Sequence, residues 1–517
     1  MDLTHHPLLM FADPNWTIAF DHDPVTAVAT RKKYWAEAVE KRTRCFGFHL
    51  PWPGWDTSLR KETVFSGDRN AGDGAERRLS AFASECYRLR QDPSGYPSTV
   101  TEGKNRVVIL GGGVIGLCSA YYALKRGLAV TVIEREPAGG DNCSMGNAGM
   151  IVPSHFIPLA APGMISKGLR WMFNRESPFY IRPRLDPALA KWAWQFYRHS
   201  TPRHVAQTQE LLRDLNLESR RLFIDLNEEE DTGLKQRGML MLCKTAKGLD
   251  GEAEVAAAAR EIGVRAEVLD AAAAAKLDPG VTMDIAGAVH FPQDCHLDPA
   301  RFMASMRRRV LALGGEIVSE TEIDRIETRD GKVVALTGGG RRFEGDQFVL
   351  AGGSWTPGLL RQVGFKLPLQ AGKGYSLTLP TPPELPEVCS IFVEAKVAIT
   401  PMGDSLRFAG TMEVGGLDLS IDPARVRGIV KSVHAYFPKF SESDFARVKP
   451  WAGLRPVSPD GIPYLGQLPS FSNLIVATGH AMMGLSLGPV SGRLVADLLT
   501  GETPFRSIER MAVGRFG

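Results

Sequence analysis

The chain has 517 residues, of which 44% are hydrophobic and 23% are charged, as is ordinary for a soluble globular protein. It is long enough for roughly three domains. The formal net charge of +3 is small and the basic residues are scattered, which argues against nucleic acid as a partner. Seven cysteines without a C-x-x-C pair argue against a zinc knuckle or a disulfide framework and favour reduced thiols.

The start of the chain carries no targeting signal that we recognise. It reads Met1-Asp-Leu-Thr-His-His and lacks the basic start and apolar core of a signal peptide. No apolar run approaches the roughly 18 residues that indicate a membrane span. We therefore predict a cytoplasmic protein.

Residues 1–104 precede the first motif with a clear chemical meaning. Residues 1–60 resemble the C-terminal end of metallo-β-lactamase-fold hydrolases, through the segments 5–9, 16–23, 29–31 and 47–53. In that family the residue that matches His49 is a zinc ligand, but the H-x-H-x-D-H cluster is missing here. One histidine does not make a catalytic zinc site. We interpret 1–60 as a truncated remnant and 61–104 as a linker, and we predict no metal site.

The segment 106–134 has the pattern of strand, glycine turn, helix, strand and acid. Gly111, Gly113 and Gly116 have the spacing G-x-G-x-x-G. In this motif the first glycine allows a tight turn, the second lets a pyrophosphate approach the backbone, and the third lets the helix pack on the strand. The segment predicts a dinucleotide-binding unit, whereas the glycines alone would also fit a structural turn.

Two further features of this segment concern the ligand. The predicted helix follows the glycine turn and continues over 117–125, and the free N–H groups and positive dipole at its N-terminus favour phosphates. Glu134 ends the second strand about 20 residues after the glycines, where a carboxylate accepts ribose hydroxyls. An acid in this place argues against a 2′-phosphate, so we expect FAD or NAD rather than NADP.

The rest of the chain mixes helices and strands. Helices are predicted after 187 and at 253–275, 298–313 and 423–436, and strands within 316–350 and 375–450. A second pattern of strand, glycine and helix, at 474–499, lies far from the first. This arrangement implies a nucleotide-binding domain that is discontinuous in sequence, a plan that flavin oxidoreductases often use.

Five motifs make residues 105–505 resemble the D-amino-acid dehydrogenases of the FAD-dependent D-amino-acid oxidase superfamily. They are the glycine fingerprint, the segment 143–153, the segments 158–163 and 167–173, the strand end 350–355, and the C-terminal segments 453–461 and 479–489. The resemblance implies FAD as the cofactor. It also implies an α/β (α+β composite) fold, with a Rossmann-like FAD-binding domain that is discontinuous in sequence and an inserted mixed-sheet substrate domain.

This resemblance leads to a division of the chain into domains. The FAD-binding domain is predicted at 105–205, 286–365 and 448–517. The substrate domain is predicted at 206–285 and 366–447. Each domain is therefore expected to be assembled from separate stretches of the sequence.

The resemblance also implies FAD contacts beyond the fingerprint. Residues 144–149 are expected to pass beneath the flavin, and 351–353 to lie near its adenine half. Residues 479–488 are expected near the flavin O2 and N1, where amides stabilise negative charge on the reduced ring. The predicted cofactor-binding residues are Gly111, Gly113, Val114, Ile115, Gly116, Glu134, Arg135, Ser144, Asn147, Ala148, Gly149, Gly352, Gly353, Trp355, Gly479, Gly484 and Leu485. Taken singly, each glycine cluster would also fit a plain turn.

The predicted catalytic residues are Arg455, Tyr375 and His480. The counterpart of Arg455 in the superfamily binds the substrate carboxylate, and a guanidinium suits this task because its planar fork meets both oxygens. A surface arginine is the alternative. Tyr375 is expected to close over the substrate as a lid or to pack in the inserted domain. His480 is expected to act on the flavin or substrate, or to have a structural role.

Residues near the flavin loop complete the predicted site. His155 and Phe156 are expected to line the substrate entrance, whereas His296 is expected in a structural turn rather than as a base. The apolar segment 155–171 is expected as a buried loop beside the flavin. Contact with a membrane surface is the alternative for this segment, and it would suit delivery of electrons to a quinone.

The implied reaction is oxidative deamination of D-amino acids. A free amine lets hydride leave Cα for flavin N5 without a strong side-chain base, and water hydrolyses the imine to a 2-oxo acid and ammonia. Electrons then pass to a quinone or another acceptor. The alternatives are an oxidase or dehydrogenase of glycine, sarcosine or D-hydroxyproline, a hydrolase-derived module in 1–60, and a flavoprotein without turnover.

Overall fold

The computed structural model describes residues 105–517 except 141, 172, 173 and 175. Within the helix at 164–171, the side chains of residues 165, 167, 169 and 170 are also outside the description. The predictions for 1–60 and 61–104 therefore lie outside the described residues, as does much of the motif 167–173.

The strands of the described chain form four sheets. In chain order they are β1 (Arg106–Leu110), β2 (Ala129–Ile133), β3 (Met150–Ile151), β4 (Phe179–Ile181), β5 (Met239–Cys243), β6 (Glu267–Asp270), β7 (Gly287–Phe291), β8 (Cys295–His296), β9 (Glu316–Val318), β10 (Arg325–Arg329), β11 (Lys332–Gly338), β12 (Arg341–Glu344), β13 (Gln347–Leu350), β14 (Gln370–Leu379), β15 (Cys389–Phe392), β16 (Val397–Met402), β17 (Ser405–Val414), β18 (Trp451–Val457), β19 (Tyr464–Gln467) and β20 (Leu474–Thr478).

The helices lie between these strands. In chain order they are α1 (Val114–Lys125), α2 (Met164–Trp171), α3 (Pro187–His199), α4 (Pro202–Glu229), α5 (Ala246–Glu261), α6 (Ala271–Leu277), α7 (Pro299–Ala312), α8 (Thr356–Gln362), α9 (Pro423–Tyr436) and α10 (Gly488–Thr500).

Four helices begin with the same local signal, a capping residue followed by proline. Asp186, Asp298 and Asp422 cap α3, α7 and α9, and each carboxylate accepts an N–H from the first turn at 2.9 Å. Thr201 caps α4 in the same way. A side-chain acceptor satisfies an otherwise unpaired N–H, and proline at the first position is pre-set for the helix. The predicted helix starts near 298 and 423 are confirmed.

The six-stranded sheet has the order β19-β20-β13-β1-β2-β9 and is parallel except for β19. Alternate residues of β1 face opposite sides of it. Val107 and Ile109 pack with the helices α1, α4, α7 and α10, whereas Val108 and Leu110 pack towards the three-stranded sheet β10-β11-β12. Burial on both faces explains why this strand is an unbroken apolar run.

The nine-stranded sheet is larger than the six-stranded one. Its order is β18-β14-β17-β16-β15-β5-β7-β6, and β4 pairs with β17. Most of its neighbours are antiparallel. Through this sheet Arg455 on β18 lies opposite Gly372 on β14, and Tyr375 on β14 lies opposite Gly410 on β17. The predicted substrate residues Arg455 and Tyr375 therefore stand on adjacent strands.

The strand pairing differs from the predicted domain borders. β4, β7 and β18 pair in the nine-stranded sheet, although they fall in segments predicted for FAD binding. Conversely, α4 packs in the apolar cluster of the six-stranded sheet, although most of it falls in a predicted substrate segment. The described residues belong to one compact unit, Glu102–Gly517, and the chain crosses between the sheets more often than the predicted borders allow.

The predicted helix at 253–275 is wrong in its middle. Helix α5 ends at Glu261, and Gly263 takes a left-handed conformation with φ 83°, as glycines do after a helix C-terminus. The chain then forms β6 before α6. Val268 pairs with Val289 at the edge of the large sheet, and this tertiary pairing outweighs the helix propensity of the alanines nearby.

Candidate active site

The glycine loop between β1 and α1 is packed as the motif predicts. Gly111 has φ 110°, and a Cβ on it would lie 2.5 Å from the Ala351 carbonyl oxygen. A Cβ on Gly116 would lie 1.8 Å from the Gly111 oxygen, so α1 packs directly on the loop. A Cβ on Gly113 would meet only Ser144 Oγ, at 3.5 Å. The backbone at Gly113 is thus open to a ligand, as a pyrophosphate requires.

The carboxylate at the end of β2 is fixed by the backbone. Glu134 Oε2 accepts from the Gly112 N–H at 2.6 Å, and Oε1 accepts from the Glu136 N–H at 2.9 Å. Next to it, the Arg135 guanidinium lies 4.5 Å from the centre of the Trp355 ring, a cation–π distance. Arg135 and Trp355, both predicted to bind the cofactor, therefore lie in contact with each other.

The predicted flavin loop is held by contacts from two sides. Ser144 Oγ accepts from the Val114 N–H at the start of α1, at 3.0 Å. On the other side, Arg407 of β17 donates to the carbonyl oxygens of Met145 and Asn147, at 2.9 and 2.7 Å. These charge-assisted bonds fix the loop backbone. Arg407 was missed in the sequence, which gives no sign that a distant strand holds this loop.

A cavity of about 960 Å³ runs between the two large sheets and brings most of the predicted residues together. Of the predicted cofactor and catalytic residues, those that line it are Gly111, Gly113, Val114, Ile115, Glu134, Arg135, Ser144, Asn147, Ala148, Gly352, Gly353, Trp355, Tyr375, Arg455, His480, Gly484 and Leu485. The glycine fingerprint and Arg455 thus share one cavity, although they are far apart in the sequence.

Three predicted cofactor residues do not line the cavity. Gly116 is covered by the glycine loop, as described above. Gly149 has φ 79°, and a Cβ on it would lie 2.3 Å from the Leu297 oxygen. Gly479 has φ 81° and packs against the Tyr464 ring. These glycines shape the loops around the cavity, and their predicted contact with the cofactor stays a prediction.

Arg455 is held so that its fork faces the cavity. Its Nη1 donates to the carbonyl oxygen of Thr411, a residue with φ 68°. A Cβ on Gly374 would lie 2.2 to 2.4 Å from the guanidinium, so only glycine leaves room for it there. Burial lowers the pKa of Arg455, and none of the ion pairs between described residues includes it. The surface-arginine alternative does not fit these surroundings.

Trp451 is a wall of the cavity that sequence reasoning missed. A Cβ on Gly146 would lie 2.3 Å from the indole, and one on Gly453 would lie 2.1 Å from it. The ring is therefore packed between two glycines, one in the predicted flavin loop and one on β18. Gly453, two residues after the tryptophan on the same strand, was the available signal, since glycine in a strand often marks close approach.

Tyr375 is a fixed part of the wall. It is 1% exposed on the central strand β14, and its hydroxyl donates to Glu413 at 2.8 Å. Lys373 Nζ lies 3.6 Å from the same carboxylate. Burial, with the Glu413 carboxylate, raises the pKa of Tyr375, so the hydroxyl stays protonated. These surroundings match packing in the sheet rather than a lid, and its predicted contact with substrate stays a prediction.

His480 is buried beside the cavity. Its Nε2 lies 2.9 Å from Ser491 Oγ, and its Nδ1 has no hydrogen-bond partner among the described residues. Burial lowers the pKa of His480 to about 3, so the ring is neutral at physiological pH. Nδ1 is therefore available to a ligand group, and the predicted action of His480 on flavin or substrate stays a prediction.

The two other histidines considered above, His155 and His296, have different surroundings. His155 lines the cavity, but Phe156 is 0% exposed and packs in the core. His296 lies on β8, paired with Met150, and burial lowers the pKa of His296 to about 4. His296 thus lies on a short strand rather than in the predicted turn, just before α7 begins. Within 155–171, the residues that line the cavity are His155, Ile157, Pro158, Leu159, Ala161, Met164, Gly168 and Trp171.

These residues fit FAD. Gly113 leaves the backbone open next to the N-terminus of α1, where phosphates bind. Glu134 offers an acceptor for ribose hydroxyls, and His480 Nδ1 has no hydrogen-bond partner among the described residues. The cavity volume of about 960 Å³ is at the upper end of the range of roughly 300–1,000 Å³ for ligand sites.

Comparison with known proteins assigns the chain to a family. Residues 106–498, most of the chain, match the family described as FAD dependent oxidoreductase. The chain belongs to this family. The predicted cofactor, FAD, and the predicted α/β fold with a Rossmann-like FAD-binding domain are confirmed, and the choice between FAD and NAD is resolved.

Two relatives of this FAD-dependent oxidoreductase share a name that refers to a narrower group within the family. It is 34% identical over 420 residues to a protein named D-amino acid dehydrogenase from Granulibacter bethesdensis, covering 80% of this chain and 99% of that protein. It is 36% identical over 420 residues to one of the same name from Methylobacterium radiotolerans, covering 79% and 99%. The resemblance to this group is confirmed, whereas that of 1–60 to hydrolases stays a prediction.

Solved structures share the fold of the oxidoreductase. Glycine oxidase from Geobacillus kaustophilus matches with a TM-score of 0.63 and 24% identity, over 80% of this chain and all of that chain. L-proline dehydrogenase from P. horikoshii matches with a TM-score of 0.61 and 17% identity, over 80% and 98%. At these identities the likeness concerns the fold alone.

Two features are absent from the described residues. No helix there is both long and apolar enough to cross a membrane. In the same part of the chain, no group of three or more His, Cys, Asp or Glu side chains is arranged to hold a metal ion.

Proposed function

We propose that this oxidoreductase oxidises D-amino acids to 2-oxo acids and ammonia with FAD. The observation that carries the proposal is Arg455, which lines the same cavity as the glycine fingerprint and has no carboxylate among the ion pairs of the described residues. A half-buried cation with no paired carboxylate among the described residues lacks charge compensation, so the site favours an anionic ligand such as a substrate carboxylate. The names of the relatives support the same substrate class.

The residues around the cavity divide the work of binding. Arg455 holds the carboxylate through both oxygens, while the Thr411 carbonyl and Gly374 fix the guanidinium. Trp451 and Tyr375 provide apolar walls that exclude water. FAD, when bound, supplies the acceptor for a hydride from the substrate α-carbon. The protein thus contributes orientation, which accounts for a large part of the rate in such reactions.

We further propose that the electron acceptor is an apolar quinone that reaches the mouth of the cavity. Tyr197, Leu419 and Met482 line the cavity and yet are 59%, 48% and 45% exposed, so the cavity reaches the protein surface at each of them. Exposed apolar groups clustered at an opening favour an apolar partner or a membrane surface. Peripheral contact with a membrane would bring the quinone to this mouth.

The substrate proposal is tested by an anaerobic absorbance titration. The purified flavoprotein is titrated with D- and L-amino acids, glycine, sarcosine and hydroxyproline isomers. We expect D-amino acids alone to bleach the visible flavin band. Bleaching by glycine or sarcosine would assign the alternative substrates, and a flavin band that no amine bleaches would remove the activity while leaving the cofactor.

The acceptor proposal is tested with Leu419→Asp and Met482→Asp. Flavin reduction by substrate should remain, because neither residue is among those predicted to bind the substrate, while reoxidation by an apolar quinone should slow. Reoxidation by a small polar electron acceptor should be unchanged. Leu313→Asp is the control, since Leu313 is 46% exposed and does not line the cavity. Equal quinone rates in all variants would refute an apolar entrance here.

A further inference from the structure

A chain of three polar side chains leads from the cavity wall into the protein. His155 lines the cavity and is half-buried, whereas Ser154 and Asp294 are buried. Ser154 Oγ lies 3.0 Å from His155 Nδ1 and donates to Asp294 Oδ2 at 2.5 Å. The Ser154 N–H also donates to Asp294 Oδ1, at 3.1 Å. The carboxylate therefore holds Ser154 by two bonds.

The donors of this chain follow from counting protons. A serine hydroxyl has one proton, and that of Ser154 is directed to the Asp294 carboxylate. The remaining bond, to His155, then requires the Nδ1 atom of the imidazole as donor. A neutral imidazole with its proton on Nδ1 has an acceptor at Nε2. His155 therefore presents a base to the cavity.

The charged groups around the chain support this state. Lys396 faces His155, and burial with this positive charge lowers the pKa of His155 to about 4. Asp294 is faced by Arg220, and Cys295 and Cys389 lie near it. Burial raises the pKa of Asp294 to about 7. At neutral pH the imidazole is thus uncharged, and the carboxylate takes up a proton readily.

We propose that His155, Ser154 and Asp294 form a proton relay that takes one proton from the ammonium group of the amino acid bound through Arg455. The relay rests on the proposed function. An α-amino group is largely protonated at neutral pH, yet its nitrogen needs a free electron pair before hydride leaves the α-carbon. A base at the cavity wall meets this need.

The transfer balances in protons and electrons. An N–H bond of the ammonium group breaks, its electron pair stays on nitrogen, and a new N–H bond forms at His155 Nε2. The proton on Nδ1 passes to Ser154 Oγ, and the Ser154 hydroxyl proton passes to Asp294 Oδ2. The carboxylate becomes a carboxylic acid, and the proton returns to water by the same route after the product leaves.

The main test is the rate of anaerobic flavin reduction at neutral pH in Asp294→Asn. The amide keeps an acceptor for Ser154 but takes no proton. We expect reduction to slow by about 10²-fold, within the usual range for acid–base catalysis, and to recover as the pH is raised and the free amine becomes abundant. Binding of a carboxylate without an amino group, followed by the flavin spectrum, should not change.

Asp278→Asn is the matched control. Asp278 is also buried and accepts two backbone N–H bonds, from Glu387 and Val388, but it does not line the cavity. We expect its reduction rate to match the wild type. Equal slowing in both variants would mean that loss of any buried carboxylate has this effect, and it would overturn the relay.

His155→Ala provides a second test that stays informative if Asp294→Asn fails to retain flavin. Free imidazole should restore reduction in proportion to its concentration, because it occupies the vacated space and supplies a base. No rescue, or no slowing without imidazole, would overturn the relay. If D-amino acids reduce the flavin of the wild-type protein and the variants are reduced at the same rate, only the relay is refuted. If no amino acid reduces the wild-type flavin, the proposed function is refuted as well.

Discussion

At the scale of single residues, the shape of the Arg455 cation is open to test. In Arg455→Lys the charge remains but the planar fork is lost, and lysine does not bind a carboxylate through two parallel bonds. We expect KM for the amino acid to rise roughly 10- to 100-fold, since a hydrogen bond to a charged group contributes about 1.5–3 kcal/mol. The flavin content should not change, and steady-state kinetics with absorbance spectra measure both. An unchanged KM would remove Arg455 from the carboxylate site.

Gly374 gives an independent test of the same assignment. A Cβ there would overlap the guanidinium, so Gly374→Ala should displace Arg455 and raise KM without changing any charge. Gly251→Ala is the control, because Gly251 lies on α5 with no atom within 4 Å of the added Cβ. If the two alanine variants had the same KM, Arg455 would not depend on the space above Gly374.

Asp294 links the protonation of the relay to stability. The folded protein raises the pKa of Asp294 from 3.8 to about 7. Between these values the folded state keeps a proton that the unfolded state has lost, so the free energy of unfolding falls as the pH rises. Asp294→Asn should remove this part of the pH dependence, which is at most about 1.4 kcal/mol per pH unit.

Chemical denaturation of the flavin-loaded protein across this pH range measures the effect. Asp330→Asn, at an exposed turn, should keep the wild-type slope. An Asp294→Asn slope equal to that of the wild type would mean that Asp294 is already ionised in the folded protein.

The residues that could be predicted from the sequence lie within short motifs that indicate their role. Glu134 and the fingerprint glycines belong to one short motif, and Arg455 belongs to another. Arg407 and Asp294 were not predictable, because their partners at 145–147 and Ser154 are distant in sequence and only the fold brings them together.

At the scale of elements, the glycines between β1 and the first turn of α1 have two different roles. Gly113→Ala meets only an ordinary contact in the protein itself, so we expect a folded chain that has lost affinity for FAD. Gly116→Ala clashes with the Gly111 backbone, so we expect loss of folding. Far-ultraviolet circular dichroism with the ratio of flavin to protein distinguishes the two. A folded Gly116→Ala protein with normal flavin would contradict the packing role of this glycine.

Helix starts were predicted better than the edge of the large sheet. The caps Asp298 and Asp422 act within one turn, so the nearby sequence specifies them. Strand β6 depends on a partner, β7, that follows α6 in the chain. An alanine-rich stretch contains no information about that partner, and the prediction of one continuous helix failed there.

At the scale of the whole molecule, the described unit coincides with the family. The match begins at residue 106, and the relatives are covered over 99% of their length. We expect a variant without residues 1–104 to keep its flavin and its rate of reduction by D-amino acids, since Glu102–Gly517 is one compact unit. Purification of that variant with a flavin spectrum and stopped-flow reduction tests this. Loss of flavin would show that the preceding residues support folding.

The general plan of two interleaved halves was predictable, because two strand–glycine–helix patterns lie far apart in the sequence. The borders were not, because β4, β7 and β18 look like any other strands until their partners are known. Which sheet a strand joins depends on the folded chain, and local composition does not reveal it.

The position of β20 has a consequence for how the protein is made. β13 lies between β1 and β20 in the six-stranded sheet, so one edge of β13 stays bare until nearly the whole chain has left the ribosome. At roughly 5–20 residues per second, synthesis of the stretch between β13 and β20 takes on the order of ten seconds, and the edge of β13 stays unpaired for that time. From the completion of β1 until β20 pairs, the nascent sheet thus carries an open, apolar edge, first on β1 and then on β13.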